Sequence, residues 1–144
     1  MTLSFFVSGL PVAQGSLKWF PVKGPRRVIL TSTAKGLAPW REIVGYAARE
    51  AMQKAGATMT TEAVTLTLTF VLPRPKRLSA RRPTPRHITR PDRDKLERAI
   101  GDALTGVVYA DDAQIDDGPT RKRYAKPGET PGVEIRVEML SDAP

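Results

Sequence analysis

The stretch from Val64 to Phe70 does most to limit the folds open to this chain. Val64, Leu66, Leu68 and Phe70 alternate with Thr65, Thr67 and Thr69, so aliphatic, aromatic or β-branched residues occupy both faces of an extended segment. The pattern predicts a central strand, which Pro73 ends because proline cannot donate to a ladder. A central strand needs partners, and two other segments alternate in the same way. Leu3, Phe5 and Val7 predict a first strand that stops at Gly9-Leu10-Pro11. Val133, Ile135, Val137 and Met139, interleaved with Glu134, Arg136 and Glu138, predict a last strand with a polar outer face. Leu17 to Phe20 and Val28 to Thr31 predict a hairpin around the basic turn Lys23-Gly24-Pro25-Arg26-Arg27.

Two segments change to a helical period. Trp40, Ile43, Val44, Ala47, Ala48, Ala51 and Ala55 form one apolar stripe on a helix from about Pro39 to Lys54, with Gly56 beyond its end. Leu96, Ala99, Ile100, Ala103 and Leu104 form a second stripe, ended by Gly106. Asp94 followed by Glu97 three residues later predicts a capping box at its start, and Val107-Val108-Tyr109 predicts a short strand after it. Together these give an α+β fold: a mixed sheet of four or more strands with two helices packed on it, in one domain over 1–144.

Chemistry is bounded by what the chain lacks. It has no cysteine and one histidine, which leaves hard oxygen donors as the metal ligands on offer. The N-terminus has no signal-peptide pattern and no apolar run approaches the ~20 residues of a membrane span. A cytoplasmic protein with no membrane partner is expected.

Charge points to a polyanion. Lys and Arg total 23 against 15 Asp and Glu, with a sequence pI near 10.2, and the cations cluster. Residues 73–90 carry prolines at 73, 75, 83 and 85, show no period and predict a mobile basic loop. Arg74, Lys76, Arg77, Arg81, Arg82, Arg86 and Arg90, continued by Arg93 and Lys95, are the expected DNA-phosphate contacts. His87 lies in this loop with no companion suited to a metal site.

Against that background, Pro91 to Asp117 gathers seven aspartates and one glutamate. Asp92 and Asp94 precede the second helix, on an extended entry where residues two apart point the same way. Asp111 and Asp112 follow it. Taken singly, Asp94 is a cap, Asp92 suits a helix N-terminus, Asp111-Asp112 is a turn and Arg98 belongs to a surface ion pair. Taken together in a basic chain, they fit a divalent-ion site beside a surface that holds nucleic acid. Spacing alone leaves both readings open.

The run Asp92-Arg-Asp94-Lys95-Leu-Glu-Arg98-Ala-Ile-Gly-Asp102-Ala-Leu, followed by Asp111-Asp112-Ala-Gln114-Ile, resembles the RusA family of Holliday junction resolvases. Gly9-Leu10-Pro11, Gln14-Gly15-Ser16 and Pro39-Trp40-Arg41 extend the likeness across nearly the whole chain. The resemblance implies a homodimeric endonuclease that binds four-way DNA junctions and, with Mg²⁺ or Mn²⁺, resolves them by paired symmetric nicks in recombination and repair. It places metal at Asp92, Asp94 and Asp112, with Asp111 in support and Asp102 secondary. Arg98 stands where the family pattern has lysine, and Lys95 where it has asparagine. Arginine keeps its charge and grips phosphate through two donors, so Arg98 remains the candidate to offset transition-state charge. The alternatives are a non-catalytic basic DNA-binding module and a nuclease for flaps or other branched DNA.

Overall fold

The computed structural model describes the backbone of residues 1–15, 18–22, 27–31 and 35–140, and the side chains of 1–15 and 35–140. The chain runs β1 (Thr2–Ser8), β2 (Lys18–Val22), β3 (Arg27–Thr31), α1 (Leu37–Ala55), β4 (Val64–Leu72), α2 (Arg93–Leu104), a 3-10 turn (Asp112–Gln114), β5 (Ile115–Asp117), β6 (Thr120–Tyr124) and β7 (Gly132–Met139). This is the expected α+β architecture, with a mixed five-stranded sheet and two helices. β2 and β3 form the expected hairpin as a separate two-stranded ribbon; residues 23–26 of its basic turn lie outside the described residues.

β4 is central, as its alternation requires. It pairs antiparallel with β7, which in turn pairs antiparallel with β1. Val64, Leu66, Leu68 and Phe70 are almost wholly buried, and so are Val133, Ile135 and Val137 of β7. α1 and α2 cover this face with Trp40, Val44, Ala48, Leu96, Ala99, Ile100 and Leu104. The helices approach closely at Gly45, where an added Cβ would already touch the Ala103 carbonyl oxygen at 3.5 Å.

On its other edge β4 pairs in parallel with both β5 and β6. β5 meets Val64 and Thr65, while β6 meets Leu68 to Leu72. They behave as one edge strand broken at Gly118-Pro119, and the Leu68 amide bonds the Pro119 carbonyl across the break at 3.0 Å. A parallel partner requires a crossover, supplied here by the basic loop and α2. α2 therefore lies between β4 and its edge partner in the chain, with its start beside β6.

Three local expectations are corrected. Ile43 is 48% exposed and Ala55 is exposed; Leu37 and Met52 are buried instead. Trp40, Val44, Ala48 and Met52 follow a strict four-residue step, so the true stripe is narrower. Val107 to Tyr109 form a turn with isolated bridges instead of a strand, because the buried Tyr109 turns inward and donates its hydroxyl to the Gly101 carbonyl at 2.7 Å. The capping box at Asp94 is also absent, for reasons given with the site.

The turn from β6 to β7 carries a two-armed ion pair. Arg123 Nη1 and Nη2 donate to Glu129 Oε1 and Oε2 at 2.6 and 2.8 Å. The pair lowers the Glu129 carboxyl from an ordinary 4.5 to about 2. A depressed carboxylate contributes stability that is present above its unfolded value and lost as pH falls through its folded value. Both partners are partly exposed, so solvent screening keeps the contribution below about 1 kcal/mol. Urea unfolding of wild type and Glu129→Gln should therefore differ by that amount at neutral pH and converge on acidification toward about pH 2. A difference that persists there would contradict the assignment.

Candidate active site

The acidic residues fall at two ends of α2. At the N-terminal end Asp92 is the N-cap, in extended conformation with φ −72° and ψ 142°. Its carbonyl accepts from the Leu96 amide at 3.1 Å. The helix thus begins two residues earlier than expected, and Asp94 lies inside the first turn. That is why Asp94 and Glu97 form no capping box. Lys95 occupies the position facing back to the cap, and its Nζ pairs with Asp92 Oδ2 at 3.4 Å. Asp92 and Asp94 therefore do not share an extended segment. Both are exposed, and both favour the positive end of the helix dipole.

β6 holds this entry in place. Lys122 Nζ donates to the carbonyls of Thr89 and Pro91 at 2.6 and 2.9 Å. Arg93 Nη1 reaches the Thr120 carbonyl at 3.4 Å. Arg98 is exposed between Asp94 and Asp102 on the helix; among the described residues it makes no ion pair.

At the C-terminal end, Asp102 Oδ2 accepts from Gln14 Nε2 at 2.6 Å, and the Gln14 amide donates to the Lys95 carbonyl at 3.0 Å. Gln14 thus ties Lys95 to Asp102 along the helix. Asp111 caps the 3-10 turn by accepting from the Ala113 amide at 2.9 Å. Gln114 Oε1 accepts from the amides of Ala110 and Asp111, each at 2.9 Å. Gln114 Nε2 donates to the carbonyls of Thr60 and Glu62 at 3.0 and 2.9 Å. In the Asp-Asp-x-Gln run, then, the first Asp and the Gln build the turn and the second Asp is presented at the surface.

Asp112 feels the consequence. Desolvation, its hydrogen bond with Asp111 and the charges of Asp102 and Asp111 all raise its carboxyl pKa. The cluster also sits at the negative end of α2, whose last turn holds no basic residue. Carboxylates crowded there are a poor arrangement by themselves, and a hard cation relieves it. In donor chemistry the residues fit Mg²⁺ or Mn²⁺.

Convergence is a separate matter. Asp94 and Asp102 are eight residues apart on one helix, about 12 Å along its axis. The carboxylates whose charges act on Asp112 are Asp102 and Asp111. Among the described residues, no three His, Cys, Asp or Glu side chains in one chain converge on a point able to hold an ion.

The basic loop leads into the N-terminal group. Lys76, Arg77, Arg81, Arg82, Arg86 and Arg90 are exposed. Arg74 is not spare: it donates to Thr84 Oγ1 at 2.6 Å and to the carbonyls of Ser79 and Arg82 at 2.9 and 3.1 Å. It folds the loop on itself, which proline content and charge could not reveal. Arg121, Lys122 and Lys126 bring further charge beside the loop. The sequence signal was there in Arg121-Lys122-Arg123, but only the pairing of β6 with β4 shows where it goes.

A small α+β fold with a split carboxylate set and a cationic flank defines a nucleic-acid-processing protein of nuclease type. The family model described as Endodeoxyribonuclease RusA matches residues 9–138. The chain belongs to that family of endonucleases, which bind DNA and resolve Holliday junctions in recombination. It is also 30% identical over 147 residues to the uncharacterized protein YqaN of Bacillus subtilis (strain 168), covering 96% of this chain and 97% of that one. No helix among the described residues is long and apolar enough to cross a membrane.

Proposed function

We propose that the protein is a homodimeric, divalent-metal-dependent endonuclease that resolves four-way DNA junctions by paired nicks, working in the cytoplasm as one domain over 1–144. The observation that supports this reading is the match of residues 9–138 to the RusA endodeoxyribonuclease family, with Asp92, Asp94 and Asp112 all exposed in a chain of formal charge +8. Asp92, Asp94 and Asp112 are the proposed ligands, and Asp111 supports them by building the turn that presents Asp112. The chemistry supplied by a bound Mg²⁺, or Mn²⁺ in its place, is activation of water and neutralisation of charge at the leaving oxygen.

The spread of these carboxylates within one chain favours a site shared between protomers. We assign Asp92 and Asp94 of one chain and the partner's Asp112 to each centre. A two-fold dimer then has two such centres, as two symmetric nicks require. Arg98, exposed beside Asp94, offsets charge developing on the phosphate. The basic loop over 73–90, with Arg93 and Lys95, holds DNA strands through their phosphates and positions them without reading sequence.

The test is nicking of labelled four-way junction, flap and plain duplex at matched salt, with and without Mg²⁺. Metal-dependent nicking that favours the junction supports the reading. Binding without nicking at any metal concentration returns the protein to a DNA-binding module, and a preference for flaps changes its substrate.

A further inference from the structure

The described surface also holds a recess of about 860 Å³ between β6 and the end of the basic loop. Arg86, Arg93, Arg121 and Lys126 stand around it, all exposed, and no carboxylate lines it. Three cations there are already engaged: Lys122 holds the loop carbonyls, Arg123 holds Glu129 and Arg93 reaches the Thr120 carbonyl. Charge for a ligand is thus distinct from charge that builds the fold.

One wall is aromatic. The rings of His87 and Tyr124 pack with centroids 4.4 Å apart and planes inclined at 45°. Burial, and then the charge of Lys122, lowers the His87 imidazole below its ordinary range. The floor holds an unusual feature. Thr120, 6% exposed, and His87, 9% exposed, each carry a buried polar atom with no partner, Oγ1 and Nδ1. Native folds leave few such atoms unpaired, and two fall in this one recess.

Duplex DNA offers phosphates on a convex surface and keeps its bases stacked. It can use the rim cations but neither the rings nor the floor. An unpaired nucleotide has an anionic phosphate, a π face and a polar base edge, which match rim, wall and floor in turn. We propose that this recess binds one unpaired nucleotide of branched DNA, its phosphate on Arg86, Arg121 and Lys126 and its base against Tyr124 and His87. The side chains of His87 and Thr120 turn their unpartnered atoms to the base edge as the loop shifts outward to admit it. The inference rests on the branched-DNA reading above, but not on the metal or on cleavage.

Thr120→Val is the informative variant. It keeps a β-branched side chain on β6 and removes a hydroxyl with no partner, so the free protein should fold at least as well as wild type. The probes are an oligothymidylate of about eight nucleotides and a duplex of similar length, both read by fluorescence anisotropy without divalent metal. Thr120→Val and, separately, His87→Leu should each weaken oligothymidylate binding about fivefold and leave duplex binding within about twofold. Equal losses on both probes, or no loss on the single strand, would overturn the proposal. A protein that nicks junctions yet shows no selective loss keeps the nuclease reading and ends this one.

Discussion

Asp94→Asn is expected to slow nicking of a four-way junction by about a thousandfold while leaving junction affinity within about twofold. The substitution is isosteric and lies on an exposed first turn, so packing is untouched. Loss of a negative charge near the positive end of α2 costs at most about 1 kcal/mol of stability. On the proposed reading DNA is held by phosphate contacts of the loop cations, so removal of a nearby carboxylate should not weaken binding. What is lost is one anionic oxygen from the proposed ligand set. Single-turnover nicking across a Mg²⁺ titration, beside anisotropy of the same junction, separates the two effects. Wild-type nicking at every Mg²⁺ concentration would remove Asp94 from the site.

Gly118→Ala should cost roughly 3 kcal/mol or more, a large share of a small domain's stability. Gly118 sits at the break between β5 and β6 with φ +127°, its amide held by Asp117 Oδ1 at 2.8 Å. A Cβ there would overlap the backbone carbonyl of Leu66 on β4. The obstacle is a strand backbone in the sheet centre, which cannot step aside as a side chain would. Gly128 is the control: its φ is +78°, but an added Cβ meets nothing within 4 Å, so Gly128→Ala should cost only about 1–2 kcal/mol. Urea midpoints with unchanged slopes measure both. Equal, small losses would show that β5 and β6 are not pressed against β4 as described.

The Gly118 break is also where the sequence was hardest to read. β4, β7 and β1 announce themselves because each buries one face and alternates. β5 and β6 read Ile-Asp-Asp and Thr-Arg-Lys-Arg-Tyr, with no apolar alternation, because an edge strand buries little and gains from charge that deters further pairing. The helices were legible by their stripes, but the start of α2 was not. Both Asp92 and Asp94 are good N-cap residues, and only the Asp92 carbonyl bonded to the Leu96 amide decides between them. The Asp111–Gln114 run was recognisable as a motif, yet two of the four bonds of Gln114 reach back to Thr60 and Glu62, which no local pattern reveals. The same holds for the recess beside β6, whose parts come from two segments brought together by a parallel pairing.

Mixed dimers show whether each metal centre takes its ligands from two chains. Asp94→Asn and Asp112→Asn chains, carrying different affinity tags, are co-expressed and the doubly tagged heterodimer is isolated. If centres are shared, one centre of the heterodimer holds both substitutions and the other holds none. The heterodimer should then nick junctions at about half the wild-type rate, one strand at a time, while each homodimer is inactive. A heterodimer as inactive as the two homodimers would place all the ligands within one chain and contradict the account.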